Sequence, residues 1–249
     1  MVDKPLICKE RSHIMKRSLM SLLLFVVVLA IPVIGFSQEF RDLELNPFFG
    51  YAVHTKSAYD TGFPQSAVPI PGQFRYKDAV RGGLRFNVNT TGHWGEELFF
   101  SYEPGQARII NGAAPALKLD TRILNFGLNA MYYLSENQNL RTRIFATLGL
   151  GGTMDRPTGE AIQIANDPLQ GKLAGFTSSK YLAFNYGVGF KHRISRNFGF
   201  RMDLRGFVTR NPTFGLPRSS PIATAVVFPA NGAGQTAEVS AGLIFRLKK

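Results

Sequence analysis

The chain has 249 residues, a formal net charge of +12 and a single cysteine, Cys8. The absence of cysteine after residue 8 excludes a fold held together by disulfides and suits passage through an oxidising compartment. Lys and Arg are dispersed, with no basic run longer than two residues. This dispersion argues against a nucleic-acid partner and favours ion pairing inside the fold and contact with anionic lipid headgroups.

Residues 1–37 predict an N-terminal extension followed by a cleavable signal peptide. A basic segment at residues 15–17 precedes an apolar run at 19–34, and small residues at 35–37 offer the pattern that a signal peptidase reads. We expect cleavage before Gln38, with an uncleaved membrane anchor as the alternative. No later stretch is apolar for the length of a membrane helix, so residues 38–249 are expected to enter a membrane only as strands.

Eight segments alternate apolar and polar residues with a period of two, the pattern of a β-strand with one apolar face. Phe184 and Phe200, for example, lie on the apolar faces of two adjoining segments joined by a polar turn. Pro47 interrupts the first segment and is tolerable at a bulge or where its missing N–H is not needed. The predicted strands are residues 43–53, 76–88, 96–103, 120–134, 140–151, 181–191, 198–209 and 235–247.

The connections between these segments alternate strictly between long and short. The long ones are 54–75, 104–119, 152–179 and 210–234, and the short ones are 89–95, 135–139 and 192–197. This order predicts an all-β fold, an eight-stranded antiparallel up-and-down transmembrane β-barrel with both termini at one rim. The short turns are then expected to face the periplasm, and the four long loops the exterior.

Aromatic residues concentrate near the ends of the predicted strands, which favours interfacial girdles. The alternative is the ordinary preference of aromatic residues for strands. The residues in question are Trp94, Tyr132, Tyr133, Phe190 and Phe198 near short turns, and Tyr51, Tyr102 and Tyr181 near long loops.

The polar face of the strands predicts a charged interior, because the lumen of an eight-stranded barrel is narrow and filled by side chains. Charges there must be paired or hydrated. We expect Asp203 to pair with Arg201 and Arg205, and Glu44 to pair with Arg246 where the barrel closes. Inward glycines are expected to make room for long Arg side chains. The predicted structural charge cluster comprises Glu44, Arg81, Arg85, Arg141, Arg143, Arg201, Asp203, Arg205, Glu238 and Arg246.

Two hairpin sequences carry a resemblance to a known family. The motif G-x-G-F-K-x-x-x-x-x-N-F-G-F-R-x-D-x-R at residues 187–205 and the segment LNAMYYLSENQNLRTRIFATLGLG at 128–151 resemble small OmpA/OmpX-like outer-membrane β-barrel proteins. The resemblance implies an eight-stranded barrel in the outer membrane of Gram-negative bacteria. It also implies contact with outer-membrane lipid and lipopolysaccharide, and assembly by the barrel assembly machinery.

The chain departs from that family in two respects. The usual C-terminal aromatic residue is displaced, since Phe245 is followed by four further residues, which puts the details of insertion in doubt. The periplasmic peptidoglycan-binding domain of OmpA proper is not expected here, so its tethering role is not carried over. Members of the family serve as structural proteins, adhesins or weak pores.

The sequence predicts neither catalysis nor a cofactor or metal site. His54, His93 and His192 have no second ligand at metal-binding spacing. The pair His192 and Ser195 is only faintly similar to the His/Ser pair of lipid A deacylase barrels, because the spacing differs and both residues lie in a turn. We expect no enzyme activity.

Three functions fit this sequence. The first is a structural or surface-interaction barrel whose four long extracellular loops meet a surface ligand. The second is a narrow porin-like diffusion channel. The third is a soluble lipocalin-like barrel that binds an apolar ligand, which requires apolar residues inside and polar residues outside.

Overall fold

The computed structural model describes residues 40–56, 59–62, 71–90, 92–111, 116–137, 139–167, 173–217 and 232–247. The chain divides into two units, residues 1–39 and residues 40–249, and the fold described below is that of the second. The predicted extension and signal peptide at residues 1–37 lie outside the described residues, as does most of the predicted loop 210–234.

Eight long antiparallel strands form a closed barrel, which confirms the predicted all-β architecture. Strand β1 pairs with both β4 and β10, and β5 pairs with both β4 and β6, so the sheet returns to its starting point. The elements in chain order are β1 (Phe40–Lys56), β2 (Tyr59–Gly62), β3 (Pro71–Tyr76), β4 (Ala79–Thr90), β5 (Trp94–Asn111), β6 (Leu117–Tyr133), β7 (Thr142–Pro157), α1 (Gly159–Asn166), β8 (Ser179–Arg193), β9 (Phe198–Arg210) and β10 (Ala233–Leu247).

Helix α1 is short, and Thr158 caps it by accepting a hydrogen bond from the Ala161 backbone N–H at 3.1 Å. Within the part of the chain that the structure describes, no helix is both long and apolar enough to cross a membrane.

The sidedness of the barrel wall follows the sequence pattern. On β5, Leu98 and Phe100 are 54% and 48% exposed, whereas Phe99 and Ser101, which alternate with them, are buried. On β9, Arg201 and Asp203 point inward and are buried, while Met202 and Leu204 face outward. A wall with apolar residues outside and charged residues inside needs an apolar surrounding. It is the opposite of what a soluble lipocalin-like barrel requires.

The predicted loops 54–75 and 104–119 contain strands. The short strand β3 pairs with β2 on one side and with the far half of β5 on the other. Strands β5 and β6 stay paired as far as Ile109 and Leu117, well beyond the apolar band of the wall. The barrel wall therefore extends past its membrane-facing part at the long-loop end.

In this extension of the wall the apolar residues face inward and the charged residues face outward, the reverse of the membrane-facing part. Ala107, Ile109 and Leu119 point inward and are buried, whereas Lys118 and Arg122 face outward and are exposed. The alternation of β5 and β6 continues unbroken, but apolar residues now fill the inside. That is the arrangement of a barrel wall surrounded by water.

The reversed end is filled by an apolar cap. Phe176 stacks on Phe214 with ring centroids 4.8 Å apart, and Phe74 lies 5.4 Å from Phe214. Helix α1 contributes its buried residues to the same cluster. The cap consists of Phe74, Ala107, Ile109, Leu119, Ala161, Ala165, Leu173, Phe176, Phe214 and Leu216.

Pro47 lies inside β1 without a bulge in the pairing with β4, where it faces Leu84. On the other side, towards β10, the neighbouring side chain supplies a donor in place of the missing proline N–H. Asn46 Nδ2 donates to the Leu243 carbonyl at 2.7 Å. A side-chain hydrogen bond therefore joins β1 to β10 at this point of the seam where the barrel closes.

The predicted aromatic girdles need two corrections. Trp94, Tyr132, Tyr51 and Tyr102 face outward and are 40%, 40%, 49% and 41% exposed. Tyr133, however, is fully buried and donates inward to Asn89 Oδ1 at 2.6 Å. Tyr181 likewise donates to the buried Asp155, at 2.6 Å. Clustering at strand ends identified the depth of these two tyrosines but not the face of the wall on which they lie.

Candidate functional site in the barrel lumen

A continuous series of ion pairs runs through the lumen. Near the long-loop end, Arg81 pairs with Glu103 at 2.6 Å and with Glu238 at 3.0 Å. Glu238 also accepts from Arg85 at 2.8 Å. Arg85 in turn donates to Asp203 at 2.8 Å, so the series passes from β4 to β10 and on to β9. One hydrogen-bonded path thus links strands that do not all neighbour one another in the wall.

Asp203 is the centre of the series. It pairs with Arg201 at 2.7 Å and with Arg205 at 3.0 Å, both on its own strand face. Those two arginines also reach Glu97 on β5, each at 2.7 Å. We define the lumen charge network as Arg81, Arg85, Arg201, Arg205, Glu97, Glu103, Asp203 and Glu238, all of them at most 3% exposed.

The network balances four guanidinium groups against four carboxylates. Removing a single ion from water costs several kcal/mol, and mutual attraction offsets that cost only when each charge has several well-placed partners. Each carboxylate here contacts at least two basic side chains; Glu103, for example, also meets His54 Nε2 at 2.7 Å. The balance and the multiple contacts explain how a narrow lumen tolerates so many charges.

Inward aromatic rings cover the guanidinium groups. The Arg85 guanidinium carbon lies 3.7 Å from the Phe48 ring centroid, and Arg201 lies 4.5 Å from that of Phe145. Phe207 takes the same role for Arg81, at 4.9 Å. Stacking on a ring face attracts a cation while filling space that water would otherwise occupy. The lumen is therefore packed by rings between the charges.

Glycines on the inner face make room for both kinds of side chain. A Cβ atom at Gly187 would lie 2.9 Å from Arg205 Cγ, and one at Gly189 would lie 2.6 Å from Phe145 Cζ. The expected accommodation of arginine thus holds at Gly187, while Gly189 accommodates a ring. Both contacts are closer than two carbon atoms tolerate, so glycine is required there.

A second, smaller cluster closes the short-turn end. Lys191 Nζ donates to Glu44 Oε2 at 2.5 Å and to the Tyr133 hydroxyl at 2.7 Å. Arg246 Nε reaches the other Glu44 oxygen at 3.2 Å, and the register places the two residues directly opposite each other. Tyr133 packs with Met131 and Phe145 into a buried cluster. This end is therefore closed by one carboxylate, two cations and a layer of rings.

The structure does not bring all the predicted cluster residues together. Arg141 is exposed in the turn before β7, outside the lumen, because the strand starts at Thr142 and alternation does not extend into the turn. Arg143 lies half-buried at the rim, 3.7 Å from the Tyr133 ring centroid. Glu97, Glu103 and Lys191 also belong with the lumen charges, as their position on the polar face of their strands indicates.

Between the charge network and the cap lies a small cavity of about 30 Å³. Its lining includes His54, Tyr76, Arg81 and Tyr181. The hydroxyls of Tyr76 and Tyr181 both donate to the buried carboxylate of Asp155, so the cap strand β3 is tied to the barrel wall. A volume of this size holds about two water molecules.

The described residues do not form a metal site. Within that part of the chain, no group of three or more His, Cys, Asp and Glu side chains could hold a metal ion. His192 lies at the short-turn end, where its Nδ1 is 2.8 Å from the Thr142 hydroxyl.

Comparisons with known proteins agree with this architecture. Residues 34–243 match the family model of the outer membrane protein beta-barrel domain. No curated protein sequence matches the chain. The crystal structure of the outer membrane protein OprG from Pseudomonas aeruginosa superposes with a TM-score of 0.55 at 16% identity, over 84% of this chain and 96% of that one. Neisserial surface protein A gives 0.45 at 9% identity, over 83% and 96%.

At 16% identity the similarity to OprG supports only the barrel fold. The family model matches most of the chain and therefore shows the family to which the chain belongs. The outward apolar band and the closed wall are what that family requires of its members. The chain therefore belongs to the outer membrane protein beta-barrel domain family, and it is located in the outer membrane.

Proposed function

We propose that this protein is a non-conducting barrel with a structural or surface-interaction role, which holds a folded cap at the cell surface and carries out no catalysis. The observation that supports the proposal most strongly is the lumen charge network, whose eight members are buried and paired across the lumen. Such a network braces the wall from within and occupies the route that an ion would have to take.

Conduction would require the network to open. An ion entering the lumen must displace at least one buried partner, and breaking a buried pair costs about 3–5 kcal/mol. Arg201 and Arg205 each bridge Glu97 and Asp203, so opening this region breaks several pairs together. The apolar cap at one end and the Tyr133 cluster at the other add two further barriers.

The surface role rests on the reversal of sidedness above the apolar band. The cap is built like the core of a small water-soluble domain, with charged residues such as Lys118 and Glu160 outside. A folded cap is a better platform for recognising a surface ligand than an unstructured loop, because less conformational entropy is lost on binding.

The competing function is a narrow diffusion channel, which the cavity beneath the cap favours. Single-channel recording in planar bilayers separates the two. We expect no discrete current steps from the purified protein, with a general porin as the positive control. Reproducible steps that scale with protein concentration would refute the closed barrel.

The orientation of the cap has its own test. In a Cys8→Ser background, Ser178→Cys lies at the long-loop end and Ser195→Cys in a short turn; both serines are exposed. We expect a membrane-impermeant maleimide to label Ser178→Cys on intact cells and Ser195→Cys only after the outer membrane is opened. The reverse result would place the cap in the periplasm and end the surface role.

A further inference from the structure

Asp155 differs from the other buried carboxylates that the structure describes, because no basic side chain pairs with it. Each carboxylate of the lumen charge network contacts at least one arginine, and Glu44 contacts Lys191 and Arg246. Among the ion pairs between described residues, none includes Asp155. Asp155 nevertheless points inward from β7 and is 0% exposed. The protein therefore buries one acidic group without a counter-charge.

This carboxyl group joins the cap to the barrel. Asp155 precedes the exposed Arg156, so it lies beyond the apolar band of the wall. The hydroxyls of Tyr76 on β3 and Tyr181 on β8 both donate to its Oδ2, while its buried Oδ1 has no hydrogen-bond partner in the protein. The Tyr76 ring packs edge-on against Phe74 of the cap, with centroids 5.0 Å apart. Asp155 thus holds the strand that carries Phe74 against the wall.

The surroundings of Asp155 disfavour its negative charge. Arg81 is already shared between Glu103 and Glu238, at 2.6 and 3.0 Å, and His54 Nε2 lies 2.7 Å from Glu103. Burial raises the pKa of Asp155 from its ordinary 3.8 to about 6, although the two tyrosine hydrogen bonds act in the opposite direction. The charged and titratable groups around it are His54 on β1, Tyr76 on β3, Arg81 on β4, Glu103 on β5 and Tyr181 on β8.

We propose that Asp155 is a proton-binding site that controls how firmly the cap is held to the barrel. With the proton bound, the carboxyl group is neutral and tolerates burial, so β3 stays on the wall. With the proton released, the charge gains hydration when β3 lifts, because the cavity that Tyr76 and Tyr181 line lies beside the joint. This inference goes beyond the proposed function, since it concerns how the cap is held and not what the cap recognises.

The direction of the pH effect follows from the two pKa values. In the opened cap Asp155 is hydrated and has its ordinary pKa, whereas in the closed cap its pKa is about 6. The closed cap therefore binds the proton more tightly. Its added stability is fully present below about pH 4 and is lost as the pH rises through about 6. The equilibrium constant for opening the cap should rise about 50-fold between about pH 4 and pH 7.

The test is backbone amide exchange of β3 in the full-length protein, reconstituted in phosphatidylcholine vesicles and followed by mass spectrometry at pH 4 and pH 7. Each rate is divided by the intrinsic rate of the same unfolded peptide at that pH, so that only opening is compared. In the parent protein we expect about 50-fold more opening of β3 at pH 7, with β9 unchanged. Asp155→Asn keeps an oxygen that accepts from the tyrosines but cannot ionise. It should remove the difference and keep opening low at pH 7.

The matched control is Asp120→Asn, because Asp120 is an exposed carboxyl group in the same extension of the wall. This variant should keep the pH dependence of the parent. Unchanged heat-modifiable migration on gels should verify that both variants are folded. A pH dependence that persists in Asp155→Asn would overturn the inference, because a neighbour such as His54 would then be the responsive group. Opening of β3 in the parent protein that is constant or decreases from pH 4 to pH 7 would overturn it as well.

Discussion

The lumen and the cap both fill the inside of one barrel, but the lumen is filled mainly by charged side chains and the cap by apolar ones. Strands β5 and β6 run through both regions, with buried Glu97 in the lumen and buried Ile109 in the cap on the same face of β5. Where the outside is lipid, the apolar residues face out and the charges are buried as a paired network. Where the outside is water, the apolar residues are buried. The surroundings of the wall, more than the strand itself, decide which half of an alternating pattern becomes the core.

The largest effect is expected from Arg201→Met in the lumen. The substitution keeps an apolar stem of similar length but leaves Glu97 and Asp203 each without one buried partner. The free energy of unfolding in lipid vesicles should fall by about 3–5 kcal/mol. Urea titration followed by gel migration without boiling measures it.

Arg141→Met is the control for that experiment, because Arg141 is an exposed arginine in the turn before β7. It should change the free energy of unfolding by less than about 0.5 kcal/mol. Equal losses for the two variants would mean that general charge loss, and not the network, determines stability.

In the cap, Leu216→Ala should destabilise locally. Leu216 is 4% exposed, and removing a buried leucine costs about 2–5 kcal/mol. Because the cap has its own core, we expect faster hydrogen exchange at the backbone amides of β3 and of residues 213–216, while the barrel keeps its folded gel mobility. Leu134→Ala, at a residue 64% exposed near the short-turn end, should leave exchange in the cap unchanged. Global unfolding by Leu216→Ala would show that the lumen and the cap form one cooperative unit.

The seam between β1 and β10 offers an intermediate effect. Asn46→Leu preserves volume but removes the donor to the Leu243 carbonyl, which should cost about 1–3 kcal/mol. Asn185 is the comparison, since it is equally buried but neither side-chain polar atom has a hydrogen-bond partner in the protein. Asn185→Leu should therefore be the milder change in the same urea titration. A larger loss at Asn185 would contradict the role given to Asn46.

The smallest effect concerns the joint between the two regions. Tyr76→Phe removes one of the two tyrosine hydroxyls that donate to Asp155, at a cost of about 1 kcal/mol. Amide exchange should rise in β3 and stay unchanged in β9. Tyr51→Phe, at an outward residue that is 49% exposed, is the control and should alter neither strand. Unchanged exchange in β3 with Tyr76→Phe would mean that the cap is held by apolar packing alone.

The sequence predicted the eight strands and their apolar and polar faces, because alternation is visible in each segment alone, without knowing which strands pair with it. It also predicted that Asp203 would meet Arg201 and Arg205, since same-face residues two apart on one strand are always close. The cap was not predicted, because its apolar residues point inward and its polar residues outward. Pro104 and Gly105, where the wall passes from the lumen to the cap, also resemble a loop.

The alternation of residues predicts the face of a strand on which a side chain lies, but neither its depth along the barrel nor its contact partner. The alternation pattern of β7, extended by one residue, would place Arg141 in the lumen, but Arg141 lies before the first residue of the strand. The stacking of Arg85 on Phe48 joins β4 to β1 through a contact that only the closed register defines. Such contacts depend on the shear and curvature of the whole barrel, which no single strand encodes.

The most direct test of the sealed lumen is the reactivity of a thiol placed inside it. Thr147 points inward on β7 and is 5% exposed, so Thr147→Cys in a Cys8→Ser background adds a single buried thiol beside the network. A charged, water-soluble thiol reagent added to both sides of reconstituted vesicles should leave this cysteine unmodified until the protein is unfolded, while Ser178→Cys reacts at once. Modification of the folded Thr147→Cys protein at a rate close to that of Ser178→Cys would show that water and ions pass through the lumen, contrary to this account.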